Sequence, residues 1–91
     1  MPYSDFEWDD GNELHLALRH GIEPEEAEEL FALTPLVRKT RKGHFAAFGR
    51  TMSGRLLVIV FERKRGNIIR VITGWDMNDS ERRYYKRSEA G

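Results

Sequence analysis

The first third of the chain carries apolar residues at helical spacing between acidic ones. In NELHLALRHG, Leu14 and Leu18 fall on one helical face, and Gly21 is suited to end that helix in the left-handed conformation. In IEPEEAEELF, Pro24 suits the first helical position, and the glutamates after it complement the positive end of the helix dipole. The preceding YSDFEWD alternates aromatic and acidic residues, as a short strand does. This region is therefore predicted as one strand followed by two helices.

After TPLV the spacing changes to the two-residue period of strands. PLVRKT and HFAAFGRT flank RKG, which predicts a hairpin with Gly43 in its turn. RLLVIVFER is typical of a central strand buried on much of both faces, and IIRVITGW follows as the last strand. Asn78 and Glu81 predict a capping box that opens a final helix. The predicted order is β-α-α-β-β-β-β-α, an α+β fold in which a curled antiparallel sheet carries two N-terminal helices and one C-terminal helix on one face.

Length and composition indicate one small domain over residues 1–91, because a chain of this size cannot bury a second core. There is no cysteine, so neither disulfides nor thiolate zinc sites are expected. No apolar run approaches the roughly 20 residues that span a bilayer, and the acidic N-terminus does not resemble a signal peptide. We expect a cytoplasmic protein that does not interact with membranes.

Charge is divided unevenly although the formal net charge is zero. Residues 1–37 have a balance of −9 and residues 38–91 a balance of +9, and ten of the fourteen bases in the second part are arginines. Because the guanidinium fork pairs with phosphate in two bonds at once, this asymmetry favours a polyanionic ligand. Alternatively, the two parts neutralise each other across surface ion pairs.

Histidines offer little sign of a metal site. His15 and His20 are five residues apart, which on a helix separates them by roughly 140° around the axis, so they are not expected to share a ligand-facing side. No metal or other cofactor is predicted, and no nucleotide-binding or acyl-transfer motif occurs. His20, beside Gly21, is interpreted as a helix C-terminal cap rather than a proton carrier.

The strand arginines suggest an anion site. Arg70 lies within IIRVI on the face opposite its buried neighbours and needs an anionic partner. If the sheet curls, Arg70 could meet Arg50, Arg55, Arg82 and Arg83 and stabilise negative charge on a phosphorane. The alternative is that these arginines pair with carboxylates of the acidic helices.

The final helix combines cations with two tyrosines. Tyr84 and Tyr85 point about 100° apart, so one can pack against the core while the other stacks on a base or donates its hydroxyl. Lys86 and Arg87 complement the C-terminal end of the helix dipole. Arg82 and Arg83 lie near the helix start, where the dipole disfavours cations, so they are better candidates for function.

Several segments, taken in order, resemble the BrnT family of type II toxins from about residue 5 to residue 86. They are FEWD with Asn12 and His15, then RHGIEPEEAEELF, RKGHF, FGRTMSGRLLVIVF and RVITGWDMNDSERRYY. The resemblance implies a RelE-like fold and a ribonuclease that inhibits translation. It also implies a cognate BrnA-like antitoxin with a ribbon-helix-helix domain, through which the complex would bind and repress its own promoter.

Residue by residue, the family's HG matches His20 and Gly21, and its GRT, GR, RVIT and ERR-x-Y elements match segments 49–51, 54–55, 70–73 and 81–85. The first helix is about one residue longer between the tryptophan and HG than in similar family members, and three positions depart from the family pattern. Gly74 and Trp75 stand where many members have alanine and arginine, which removes one expected cation, and His44 stands where an aromatic is common.

The resemblance predicts a metal-independent endoribonuclease in which the RNA 2′-hydroxyl attacks its own phosphodiester. Its chemistry needs a proton acceptor, a proton donor and positive charge. The predicted catalytic residues are His20, Arg55, Arg70, Arg82, Arg83 and Tyr85. The predicted RNA-binding residues are Arg50, Arg63, Tyr84 and Trp75.

Two alternatives from other classes remain open. Trp75 in place of the expected arginine suggests a catalytically weak or inactive homologue that acts as corepressor with a DNA-binding antitoxin. Direct DNA binding by the basic part is less favoured, because it leaves the acidic part without a role; we expect contact with DNA only through the antitoxin.

Overall fold

The computed structural model describes residues 5–41 and 43–90; Tyr3 and Ser4 of the predicted first strand, and Lys42 of the hairpin, lie outside these ranges. The elements in chain order are β1 (Asp5–Glu7), α1 (Asp10–His20), α2 (Pro24–Ala32), β2 (Leu36–Lys39), β3 (Phe45–Arg50), β4 (Leu56–Lys64), β5 (Ile68–Asp76) and α3 (Asp79–Ala90). None of the described helices is long and apolar enough to cross a membrane.

The five strands form one sheet in the order β1-β5-β4-β3-β2. Neighbouring strands are antiparallel except β1, which runs parallel to β5, so the sheet is mixed and the prediction of a purely antiparallel sheet was wrong. Helices intervene between β1 and the other strands, and such a crossover allows the parallel pairing. β4 occupies the centre, and its buried run Leu57, Val58 and Ile59 confirms the central strand.

Helices cover both faces of the sheet. On one face, Leu16 of α1 and Leu30 of α2 form a core with Ile59 of β4. On the other face, Tyr85 of α3 packs in a second core with Val58. The prediction that all helices lie on one face was therefore wrong, because β3 and β4 are apolar on both sides and each side needs a cover.

Asn12 fastens α1 to the sheet. Its side chain is buried, its Oδ1 accepts from the backbone N–H of Asp9 at 2.8 Å, and its Nδ2 donates to the carbonyl oxygens of Glu7 and Val71, both at 3.0 Å. Asp9 Oδ1 in turn accepts from the Asn12 backbone N–H at 3.1 Å. This capping box places α1 along the part of β5 that extends beyond β1.

A β-bulge interrupts β5 beside α1. Phe61 pairs with Val71, but Val60 pairs with Thr73, so Ile72 is an extra residue on β5. A bulge changes the direction in which neighbouring side chains point. Here the Thr73 hydroxyl contacts α1, as the next subsection describes.

The start of α3 agrees with the sequence prediction. The backbone N–H of Asn78 donates to Glu81 Oε1 at 2.9 Å, and the Glu81 backbone N–H donates to Asn78 Oδ1 at 2.8 Å. This reciprocal pair confirms the capping box and places Glu81 beside Trp75 of β5.

Candidate functional site

A groove of about 620 Å³ opens on the sheet face that α3 only partly covers. We call it the basic groove. Its lining comprises Arg38, Lys39, Thr40, Arg41 and His44 on the β2–β3 hairpin, Ala46, Phe48, Val58, Val60 and Ile72 on the floor, and Thr73, Trp75 and Glu81 opposite the hairpin. In the groove, an apolar floor therefore adjoins a wall of cationic side chains.

The cationic wall comes from the β2–β3 hairpin. Arg38, Lys39 and Arg41 are exposed, and none of them forms an ion pair with a described residue. The guanidinium carbon of Arg38 lies 5.3 Å from the ring centroid of Tyr84, which packs edge-on against Phe48 at 5.1 Å between centroids. Unpaired cations beside aromatic and apolar surface suit a nucleic acid, whose phosphates and bases need different partners.

Sequence reasoning did not assign this wall to the site. The run VRKTRKGHF contains four bases within five positions, 38 to 42, and this charge density was the available signal. The alternation and Gly43 identified the hairpin, but they could not show which surface the hairpin borders.

Trp75 forms part of the opposite wall. Its indole Nε1 donates to both carboxylate oxygens of Glu81 at 3.2 Å, so the capping carboxylate also orients the ring. Of the residues predicted to bind RNA, Trp75 lines the basic groove and Tyr84 lies under Arg38 at its border.

Two histidines meet at the Thr73 hydroxyl. His15 Nε2 lies 2.9 Å and His20 Nε2 lies 3.4 Å from Thr73 Oγ1, and the two ring centroids are 5.5 Å apart. The expectation that their spacing keeps them apart was wrong, because His20 is the last residue of α1 and both side chains extend toward β5. Since Thr73 lines the basic groove, the pair adjoins its wall.

Arg55 is fully engaged by neighbouring acceptors. It donates to Asp76 Oδ1 and Oδ2 at 2.8 and 3.0 Å and to Glu26 Oε1 at 3.0 Å. It also donates to the carbonyl oxygens of Gly21 at 2.9 Å and His20 at 3.3 Å. Its hydrogen bonds hold the pKa of Asp76 below the ordinary range. Arg55 therefore ties the turn between α1 and α2 to β4 and β5.

Arg70 is paired at the other end of β5. Its Nη1 donates to Glu7 at 3.0 Å and to Asp9 at 2.8 Å. The hydrogen bond from Lys64 and then that from Arg70 lower the pKa of Glu7, and the bond from Arg70 lowers the pKa of Asp9. Arg70 and Asp76 are six residues apart on one strand, roughly 20 Å at the usual rise. Arg55 and Arg70 therefore do not meet, and the predicted convergence of the arginines was wrong.

The remaining predicted residues lie in several places. Arg82 and Arg83 are exposed on α3, and the charge of Arg82 adds to the effect of Arg55 in lowering the pKa of Asp76. Tyr85 is buried in the second core, and burial raises its pKa.

Two arginines predicted to bind RNA lie away from the groove lining. Arg50 pairs with Glu89 at 3.5 Å. The Arg63 guanidinium carbon lies 5.8 Å from the ring centroid of Phe45, which packs against the core under α1 and α2.

Comparison of the sequence with models of known protein families identifies the family of this chain. Residues 8–81 match the sequence model described as "Ribonuclease toxin, BrnT, of type II toxin-antitoxin system". The chain belongs to the BrnT family. This confirms the resemblance drawn from the ordered sequence segments and places the chain among type II toxin-antitoxin proteins.

A solved structure shares the BrnT fold. The 1.1 Å crystal structure of the Brucella abortus ribonuclease toxin BrnT superimposes with a TM-score of 0.71 at 17% sequence identity, and the match covers 84% of this chain and 100% of that one. At this identity the similarity establishes the fold alone. Among curated protein sequences, none is significantly similar to the chain.

Proposed function

We propose that this BrnT-family chain is a toxin that cleaves RNA in the basic groove, inhibits translation in the cytoplasm and is neutralised by a BrnA-like ribbon-helix-helix antitoxin. The observation that carries this proposal is the groove itself, where unpaired cations, an apolar floor and an indole adjoin two histidines. Cations bind the RNA backbone, and the indole and floor accommodate unstacked bases.

The proposed reaction needs no metal ion, because the groups of the chain itself can supply each requirement. The 2′-oxygen bonds to phosphorus as the bond from phosphorus to the 5′-oxygen breaks, leaving a 2′,3′-cyclic phosphate and a 5′-hydroxyl. A general base removes the 2′-hydroxyl proton, a general acid protonates the leaving oxygen, and guanidinium groups stabilise the phosphorane.

The predicted catalytic arginines fall into two groups according to whether carboxylates already bind them. Arg82 and Arg83 are exposed, form no ion pair within the described part of the chain and can bind phosphate. Arg55 and Arg70 already donate to carboxylates and serve as positioning residues.

The environments of His20 and Tyr85 also differ. His20 is half-buried beside Thr73, whereas Tyr85 is buried and its raised pKa makes its hydroxyl a poor proton acceptor at neutral pH. These surroundings support His20 rather than Tyr85 as the proton-handling residue.

Cleavage can be tested with purified chain and mixed-sequence single-stranded RNA in EDTA, with the new ends identified by mass spectrometry. We expect cyclic phosphate and 5′-hydroxyl ends. Arg38→Ala/Arg41→Ala should lose most of this activity, whereas Arg65→Ala/Arg87→Ala removes the same charge outside the groove lining and should retain it. Intact RNA with wild-type protein in excess, or equal loss in both double variants, would contradict the proposal.

Trp75 favours a second candidate function, that of a corepressor, because it stands where many family members carry a cation. A chain that leaves RNA intact and does not inhibit growth, yet tightens binding of the antitoxin to its promoter, would be a corepressor. Measuring antitoxin–DNA affinity with and without the chain separates this function from the toxin.

A further inference from the structure

Thr73 links two imidazoles through one hydroxyl group. The Oγ1 atom lies within hydrogen-bond distance of both Nε2 atoms, and it has a single proton. When the hydroxyl uses both its donor and its acceptor capacity, it donates to one Nε2 and accepts an N–H from the other. One Nε2 therefore carries a lone pair and the other a proton, and a substrate that replaces the hydroxyl between them meets one proton acceptor and one proton donor.

We propose that His15 is a second catalytic residue of RNA cleavage, acting as the general base while His20 acts as the general acid, with Thr73 as the residue that positions both. This inference rests on the proposed function and deepens it. RNA replaces the Thr73 hydroxyl at both Nε2 atoms when it binds, and His15 Nε2 then takes the proton of the 2′-hydroxyl as the bond from the 2′-oxygen to phosphorus forms. His20 Nε2 gives its proton to the 5′-oxygen as the bond from phosphorus to that oxygen breaks.

The surroundings of the two rings distinguish their roles. His20 is the last residue of α1, where the helix dipole favours a cation, and its backbone carbonyl accepts at 3.3 Å from Arg55, which also donates to Asp76. This end of the helix suits the proton donor. His15 lies nearer to Thr73 Oγ1, in the middle of α1, where the Asn12 anchor fixes the helix against β5.

Both rings are accessible enough to reach a substrate. His15 and His20 are half-buried, and Thr73 between them belongs to the lining of the basic groove. A centroid separation of 5.5 Å lets two imidazoles reach oxygens on either side of one phosphorus. A phosphodiester entering the groove at Thr73 therefore meets both rings.

The test compares His15→Gln with Leu14→Gln, an exposed neighbour on the same helix. His15→Gln should lower kcat by about 10²- to 10⁴-fold with little change in KM, the usual contribution of general acid–base catalysis. Leu14→Gln should leave both unchanged. A His15→Gln protein that melts like wild type and keeps more than half of kcat would overturn the proposal.

A substrate with sulfur at the 5′-bridging position separates the two roles. Its thiolate leaves without being protonated, so His20→Gln should cleave it at nearly the wild-type rate while His15→Gln remains slow. Rescue of His15→Gln instead, or of neither variant, would contradict the assignment.

Thr73 is tested by keeping or removing its hydroxyl. Thr73→Ser should retain activity, and Thr73→Val should lower kcat by about tenfold. Equal activity of Thr73→Ser and Thr73→Val would contradict the positioning role of Thr73. Failure of wild-type protein to cleave any RNA would refute the proposed function itself, whereas normal cleavage by His15→Gln would refute only this inference.

Discussion

Arg55 and Arg82 carry the same charge in very different surroundings. Arg55 donates to two carboxylates and two backbone carbonyls, so its guanidinium has a structural role. Arg82 is exposed on α3 and remains available to a ligand. Which arginines can bind phosphate therefore depends on the acceptors that the fold places around each of them.

The ion pair between Arg55 and Asp76 predicts a pH dependence of stability. Because the folded-state pKa of Asp76 lies below its ordinary value of 3.8, the pair stabilises the fold above that value and its contribution is lost as pH falls through the folded-state pKa. In urea denaturation, the difference in the free energy of unfolding between wild type and Asp76→Asn should stay constant from about pH 5 to 7 and shrink below about pH 4.

Arg55→Ala provides the matching control for this prediction. It removes the cause of the lowered pKa and should reduce the acid sensitivity in the same way. An Asp76→Asn protein that keeps the full wild-type pH dependence would show that other groups carry it, since the carboxyls of Glu7 and Asp9 have lowered pKa values of the same sign.

At the scale of elements, α1 depends on one buried amide. Asn12 satisfies the carbonyls of Glu7 and Val71, and Asn12→Ala leaves both without this donor. Thermal or urea denaturation should show a loss of about 2–3 kcal/mol, the usual cost of buried groups left unpaired. Because α1 carries His15 and His20, the cleavage rate of Asn12→Ala should fall by more than its loss of folded protein explains. A loss below about 0.5 kcal/mol would contradict the anchoring role.

Gly74 of β5 lies against Ile59 of the neighbouring strand β4, with little room for a Cβ. A Cβ added there would lie 2.7 Å from Ile59 Cδ1 and 3.0 Å from the carbonyl oxygen of Val58. Gly74→Ala should therefore destabilise the fold by about 1–3 kcal/mol, as overpacking does. Unchanged or higher stability in urea would contradict this packing.

Sequence periodicity located the elements but not their arrangement. Alternation identified β4 and β5 within a residue or two, because it reports which positions are buried. It could not show that α3 lies opposite α1, since either face of an apolar sheet can receive a helix. Nor could it show the bulge at Ile72, because strand alternation does not reveal how two strands are aligned.

The candidate site was predicted only in part for the same reason. His20 and Trp75 came from the family pattern and from residue type, and both lie at the groove or beside it. The meeting of His15 with His20 was not predicted, because the angle around a helix does not include side-chain reach or the neighbouring strand. Contacts between α1 and β5 depend on tertiary packing, which a single sequence does not display.

Across the whole molecule, ion pairs cancel part of the charge division along the chain. Arg55 and Arg70 are paired with carboxylates, as the alternative interpretation held. The cations of the β2–β3 hairpin remain unpaired within the described residues and face the groove. Neutralisation is therefore partial, and part of the remaining positive charge borders the groove.

This excess predicts a salt dependence of RNA binding. With a 2′-deoxy-substituted RNA that cannot be cleaved, the logarithm of affinity should fall linearly with the logarithm of salt concentration. Arg38→Ala should reduce the slope by about 0.7, the value for one single-strand phosphate contact, and Arg65→Ala should not change it. A slope unaffected by Arg38→Ala would exclude a phosphate contact at this residue.

The most direct test of the account is to map that uncleavable RNA on the protein by backbone amide chemical shifts. We predict that the perturbations concentrate in segments 38–41, 44–48 and 72–75, around the basic groove. Perturbations confined to the outer surfaces of α1 and α2, with the groove unchanged, would contradict the claim that this groove is where the chain meets RNA.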